Sequence, residues 1–148
     1  MRVGFTGTRD GLTPAQGGAL ARRVRDQQVT TFHHGACFGA DAEAVVHVRH
    51  YHPEAHIVAH PCTLTKCVSE RALAASDHKR DVRPPLDRNR DIVDTADVMF
   101  ACPKGPEELR SGTWSTVRYA RKRGVPVVIF WPDGTMETEG DFTTNTGE

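Results

Sequence analysis

The sequence predicts one α/β domain, with a mainly parallel sheet of about five strands and helices on both faces. Three observations predict it. Short β-branched or aromatic runs alternate with helix-length amphipathic stretches, as in successive βαβ units. Several of those runs end directly in loops that contain glycine. The chain of 148 residues, 38% of them apolar, is long enough for one core, since a domain of this size buries roughly 70% of its unfolded surface. The domain is expected over 1–134. Beyond Pro132 the apolar residues thin out, and 135–148 is expected to be a flexible tail.

The elements follow in order. Strands are expected at Arg2 to Thr6, Thr30 to His34, His56 to His60, Val98 to Cys102 and Val125 to Trp131, where residue types suit strands covered on both faces. Thr13 before Pro14 reads as an N-cap followed by proline at the first helical position, opening a helix to about Gln27. A second helix begins near Gly39 and Ala40, carries Ala44, Val45 and Val48 on one face, and stops at about Tyr51, ahead of Pro53. A third covers Leu86 to Thr95. The fourth runs from Thr113 to Arg123, with Gly124 as its left-handed C-terminal residue. Between Pro61 and Pro85 lies an irregular crossover with a short helix near Ser69 to Ala75.

Charge and composition exclude several classes. Lysine plus arginine (19) balances aspartate plus glutamate (19), so the whole chain has no field that would gather nucleic acid or anionic lipid. Val125 to Trp131 is the longest apolar run and is too short to span a bilayer. The first residues run straight into a strand without a signal-peptide pattern, so a cytoplasmic location is expected. Cys37, Cys62, Cys67 and Cys102 form no CxxC pair and are expected as reduced thiols. No resident cofactor is expected. His33, His34, Cys37, His60, Cys62 and Cys67 fit no standard zinc spacing, and no metal site is expected either.

Chemistry is expected where strands give way to glycine. Gly4 to Arg9, Gly35 to Asp41 and Ser111 to Thr113 follow three strands, and a right-handed parallel sheet puts all three on one edge. Glycine lets backbone N–H groups approach an anion, and each following helix adds the positive end of its dipole, worth about 0.3 to 1 kcal/mol per charge. The expectation is a phosphate cradle. In the third helix Leu86, Asn89, Val93 and Ala96 share a stripe, so Asn89 either ties down a loop or touches a ligand. Arg83, Arg88 and Arg90 make this crossover locally basic, and arginine matches phosphate geometry. His60 ends the third strand near the same edge, as a ligand contact or a loop hydrogen bond. Trp114 reads as core packing or as a stacking face for a base.

GFTGTRDG, HHGACFGADAEA, RPPLDRNRDIVDTADVMFACP and RSGTWSTVRYARKRGVPVVIF, in this order, resemble the SLOG superfamily of Rossmann-like proteins. That superfamily groups the DNA-processing protein A fold with the "lonely guy" nucleotide phosphoribohydrolases, and the chain is most similar to its small stand-alone nucleotide-binding members. The resemblance implies a nucleotide ligand held at Gly7, Thr8 and Arg9, at Gly35, Gly39 and Asp41, and at Ser111, Gly112, Thr113 and Thr116. It also implies that Arg88 and Asn89 face that ligand. One position departs from the family. The hydrolases carry a glutamate that assists N-glycosidic cleavage, and Arg118 stands there in this chain; a guanidinium cannot act as a base near neutral pH.

Three functions follow from these readings. The first is a nucleotide-binding or sensing protein. The second is a nucleotide N-glycosidase releasing free base, with Arg88, Asp41 or Glu108 as catalytic candidates. The third is single-stranded DNA binding through Lys79, Arg80 and Arg83, which the neutral charge and scarce aromatics disfavour. A homo-oligomer is a further expectation, because related folds pair through helices beside the site.

Overall fold

The computed structural model describes residues 1–140. Its chain order is β1 (Arg2–Gly7), α1 (Pro14–Asp26), β2 (Thr31–His34), α2 (Ala40–Tyr51), β3 (His56–Ala59), α3 (Glu70–Ala74), β4 (His78–Lys79), α4 (Pro85–Thr95), β5 (Val98–Cys102), α5 (Gly112–Arg123), β6 (Val127–Phe130) and β7 (Met136–Glu139). The sheet order is β4-β3-β2-β1-β5-β6-β7, parallel throughout except where β7 runs against β6. The fold is a Rossmann-like α/β domain.

Two cores flank the sheet. Phe5, Phe32, Phe100 and Phe130 pack against Leu20 and Val24 of α1 and Val45 and Val48 of α2. On the opposite face Met99 and Ile129 meet Ile92 and Val93 of α4 and Trp114 and Val117 of α5. Strand side chains that alternate between these cores leave no solvent face, so the inner strands read as apolar in unbroken runs. Thr13 caps α1 in a reciprocal capping box with Gln16. The buried Gln16 amide also donates to the carbonyls of Pro103 (2.9 Å) and Phe130 (2.7 Å), which ties the carboxyl ends of β5 and β6 to α1.

The sheet has seven strands where about five were expected. The two additions are polar edge strands: β4 is two exposed residues paired with Val58 and Ala59, and β7 has the sequence METE. Each joins the sheet through backbone pairing without burying a side-chain face, so neither carries an apolar alternation. The expected tail from residue 135 therefore begins as β7, fixed by a turn at Gly134 (φ 90°) and by Arg121 of α5 paired to Glu139 at 2.8 Å. Residues 141–148 of that expected tail lie outside the described residues.

Connections follow the chain outward from β1 to β4, then return to β5 on the other side of β1. The switch point thus lies between β1 and β5, where open α/β sheets form a crevice at their carboxyl edge. Gly39 shapes that edge. Its φ is 80°, and a Cβ there would lie 2.4 Å from the Arg9 carbonyl oxygen, so the loop before α2 tucks beneath the loop after β1. The Ala40 N–H fastens the two by donating to the Thr8 carbonyl at 3.0 Å. Gly39→Ala is expected to cost about 2 kcal/mol or more from backbone strain and the clash, seen as a lowered urea midpoint with an unchanged slope. A midpoint equal to the wild type would show that these loops are not locked together.

Candidate functional site: a cleft at the sheet's switch point

The carboxyl ends of β1 and β5 open into a cleft of about 690 Å3. It brings together most of the residues singled out in the sequence. Gly7, Thr8 and Arg9 come from the loop after β1, and Gly35 and Asp41 from the segment after β2. Arg88 and Asn89 enter from α4, and Ser111, Gly112 and Thr113 from the start of α5. Glu108 lines it as well. Three expected positions stand outside. Gly39 is spent on loop packing. Thr116 is buried and its hydroxyl donates to the Gly112 carbonyl at 2.9 Å. His60 faces away from the cleft, with Nε2 2.8 Å from His33 Nδ1, and contributes to the region only through its backbone carbonyl.

The three glycine loops share one rim but offer it different chemistry. At α5 the Ser111 hydroxyl caps the Trp114 N–H at 3.2 Å, while the N–H groups of Gly112 and Thr113 find no acceptor among the described residues. The first turn of a helix exposes such donors, and the dipole makes them attractive to an anion. A Cβ built on Gly112 would meet nothing within 4 Å, so this end of the helix faces open space. In the loop after β1 the Thr8 N–H is spent on the Cys102 carbonyl at 3.0 Å, and the Thr8 hydroxyl accepts from Asp10 N–H at 3.1 Å.

The loop after β2 departs from the expected cradle. Its Gly35 and Cys37 N–H groups both donate to Asp41 Oδ2 at 3.1 Å, so they turn inward to a carboxylate rather than outward to a guest. Burial pushes the Asp41 carboxyl up to about 6, against those amide bonds and the nearby Arg88, which hold it down. Burial, and then the Asp41 charge, also push the Cys37 thiol up to about 11, so it stays protonated and unreactive near neutral pH.

Arg88 is the buried cation of the site, 5% exposed. Nη1 donates to the carbonyls of Gly35 (2.6 Å) and His60 (3.0 Å), Nε to Asn89 Oδ1 (2.7 Å), and Nη2 lies 3.8 Å from Cys37 Sγ. No carboxylate reaches it within ion-pair distance among the described residues. The helical stripe assigned the inward place to Asn89 and Leu86. Instead Leu86 is 58% exposed, Asn89 is half-buried as an acceptor for Arg88, and Arg88 takes the buried position.

The segment Pro103 to Arg110 supplies residues that the sequence reading did not single out. Lys104, Gly105, Pro106 and Arg110 line the cleft beside Glu108, and Lys104 pairs with Asp10 across its mouth at 3.5 Å. Their readable signal was position alone: they follow the strand that borders the switch point. Trp114 lies under this segment, 3% exposed, with Nε1 donating to the Gly105 carbonyl and its ring 5.7 Å from Trp131. It packs rather than offering a free stacking face. Among the described residues no three His, Cys, Asp or Glu side chains gather as metal ligands, and no helix is long and apolar enough to cross a membrane.

No family model matches the chain, and neither does any curated protein. Solved structures do share its fold. A molybdenum cofactor binding protein from the phototrophic bacterium Rippkaea orientalis superposes with a TM-score of 0.62 at 22% identity, over 86% of this chain and 74% of that one. The structural-genomics target TM1055 superposes with a TM-score of 0.59 at 14% identity, over 85% of this chain and 71% of that one.

Proposed function

We propose that this protein binds a phosphate-bearing nucleotide or nucleotide derivative in the switch-point cleft, as a binding or sensing protein of the SLOG kind. One observation carries the proposal: a buried arginine without a carboxylate partner and the unpaired amides that open α5 line the same cleft. Three oxygen acceptors and the nearby Asp41 carboxyl meet part of the cost of burying that cation, and an anionic guest adds further compensation. The volume suits a nucleotide-sized organic ligand. The fold neighbour from Rippkaea orientalis, described as binding molybdenum cofactor, supports a small-molecule ligand on this scaffold.

Binding is favoured over N-glycosidic hydrolysis by the state of the carboxylates. Asp41 is engaged by two backbone amides, and Arg118 is turned toward Glu107 at 3.2 Å. Asp41 is thus not a free base and Arg118 cannot be one. That leaves Glu108, exposed on the cleft's rim, as the sole carboxylate of the three candidate positions for a hydrolytic role.

Mass spectrometry of small molecules released from the purified protein, with a thermal-shift panel of nucleotides, tests this. A ligand at a hundred times its Kd adds about 2.7 kcal/mol, a shift of several degrees. Gly112→Val separates site from fold. The added side chain enters open space, so Tm without ligand is expected to stay within about 2 °C of wild type, while the nucleotide shift is lost. If no small molecule co-purifies and no nucleotide shifts the wild type, the binding role is rejected.

A further inference from the structure

Arg118 is half-buried on α5, and every hydrogen bond its guanidinium makes among the described residues goes to one loop. Nη1 donates to Glu107 Oε2 and to the Glu108 carbonyl, and Nη2 donates to the Leu109 carbonyl, each at 3.2 Å. Arg121, one turn further along, donates to Glu107 Oε1 at 3.0 Å. Nearer the helix start, Trp114 Nε1 holds the Gly105 carbonyl at 3.2 Å. Thus three α5 side chains fasten the segment from Gly105 to Leu109, whose own packing is slight: Leu109 is 89% exposed, and a Cβ on Gly105 would meet nothing within 4 Å.

This loop is a wall of the cleft. It carries Lys104, Glu108 and Arg110 to the same cleft that Gly112 and Thr113 line. A loop with so few apolar contacts would otherwise sample many positions, and a guest would bear the entropy of ordering it. Fastening it beforehand removes that cost. The guanidinium suits the task, because its planar fork delivers donors from two separate nitrogens to a carboxylate and two carbonyls, whereas an ammonium donates from a single point.

We infer that Arg118 is a positioning residue, which holds the Pro103 to Arg110 loop as a preformed wall and thereby sets how long the cleft retains a phosphate-bearing guest. This inference rests on the nucleotide-binding reading for its second half. The first half concerns the loop alone.

Hydrogen exchange of the loop amides tests the first half without any ligand. In Arg118→Ala the amides between residues 104 and 110 are expected to exchange about tenfold faster, with those of the sheet unchanged. Glu107→Gln, which weakens the same fastening from the loop side, is expected to move them in the same direction. Stopped-flow binding of ADP tests the second half: the dissociation rate is expected to rise about tenfold in Arg118→Ala with little change in association, and Arg118→Lys is expected to recover part of the loss. Unchanged loop exchange in Arg118→Ala overturns the inference outright. Faster exchange with an unchanged ADP dissociation rate overturns the link from loop to grip. If the wild type binds no nucleotide at all, the reading of the cleft falls together with that link, while the exchange measurement still decides whether Arg118 fastens the loop.

Discussion

Arg88→Leu is expected to lower stability by about 3 to 4 kcal/mol and Tm by roughly 10 °C, and to abolish nucleotide binding in what remains folded. The reasoning starts from the carbonyls rather than the charge. Gly35 and His60 present their oxygens to Nη1 at 2.6 and 3.0 Å, deep beneath α4. Leucine fills similar space but leaves the His60 carbonyl without a donor and the Gly35 carbonyl with only the weak Cys37 thiol at 3.7 Å, and an orphaned buried acceptor costs about 1 to 3 kcal/mol. Arg88→Lys is expected to fall in between, because one ammonium cannot follow the fork that also reaches Asn89 and Cys37. Calorimetry on the three proteins checks the ranking. A leucine variant melting within 2 °C of wild type would mean that those carbonyls are satisfied without the guanidinium. The wild type retains the buried charge, which the Gly35, His60 and Asn89 oxygens and the nearby Asp41 carboxyl help to bear.

How far such a site can be read in advance depends on what fixes each position. The strands, helix starts and left-handed Gly124 were legible, since covered parallel strands are apolar throughout and caps follow local chemistry. β4 was not, because His78 and Lys79 join the sheet only through the backbone of β3. β7 had one readable sign, Asp133-Gly134, a dipeptide favoured in tight hairpin turns. In α4 the spacing of Arg88 and Ile92, both buried, contained the inward face, but an arginine on an apolar stripe looks like a solvated charge until its acceptors are known. Those acceptors are carbonyls from β2 and β3, remote in sequence. The same limit hid the inward turn of the Gly35 amide: Asp41 in the motif was visible, but not that it would take the amide for itself.

Acidification is expected to undo the fold between about pH 6.5 and 4. Burial lowers His34 to about 3, His33 to about 4 and His60 to about 3, with neighbouring cations and histidines adding in the same direction. The hydrogen bonds show why His34 resists a second proton: its Nδ1 accepts from Ala36 N–H at 3.0 Å, leaving Nε2 to donate to Ser76, whose hydroxyl donates to the Ala72 carbonyl. His33 and His60 share one proton across 2.8 Å. For a histidine with a depressed folded value, the stabilisation is complete above the unfolded value near 6.5 and drains away as pH falls toward the folded one. By pH 4.5, His34 alone has forfeited roughly 3 kcal/mol, a large part of the stability of an ordinary domain. Asp41 acts in the opposite sense. Its carboxyl is raised to about 6, so its contribution is full below about 4 and is lost as pH rises through 6; acidification restores it. Three histidines outweigh one aspartate, and Tm is expected to decline steadily from pH 6.5 downward. Asp41→Asn removes the opposing contribution and is expected to steepen that decline between pH 6 and 4. Melting curves in that range decide the matter: a Tm constant from pH 7 to 4.5 would mean that these imidazoles take up protons freely in the folded state, and that the hydrogen-bonded chain through His34 does not hold.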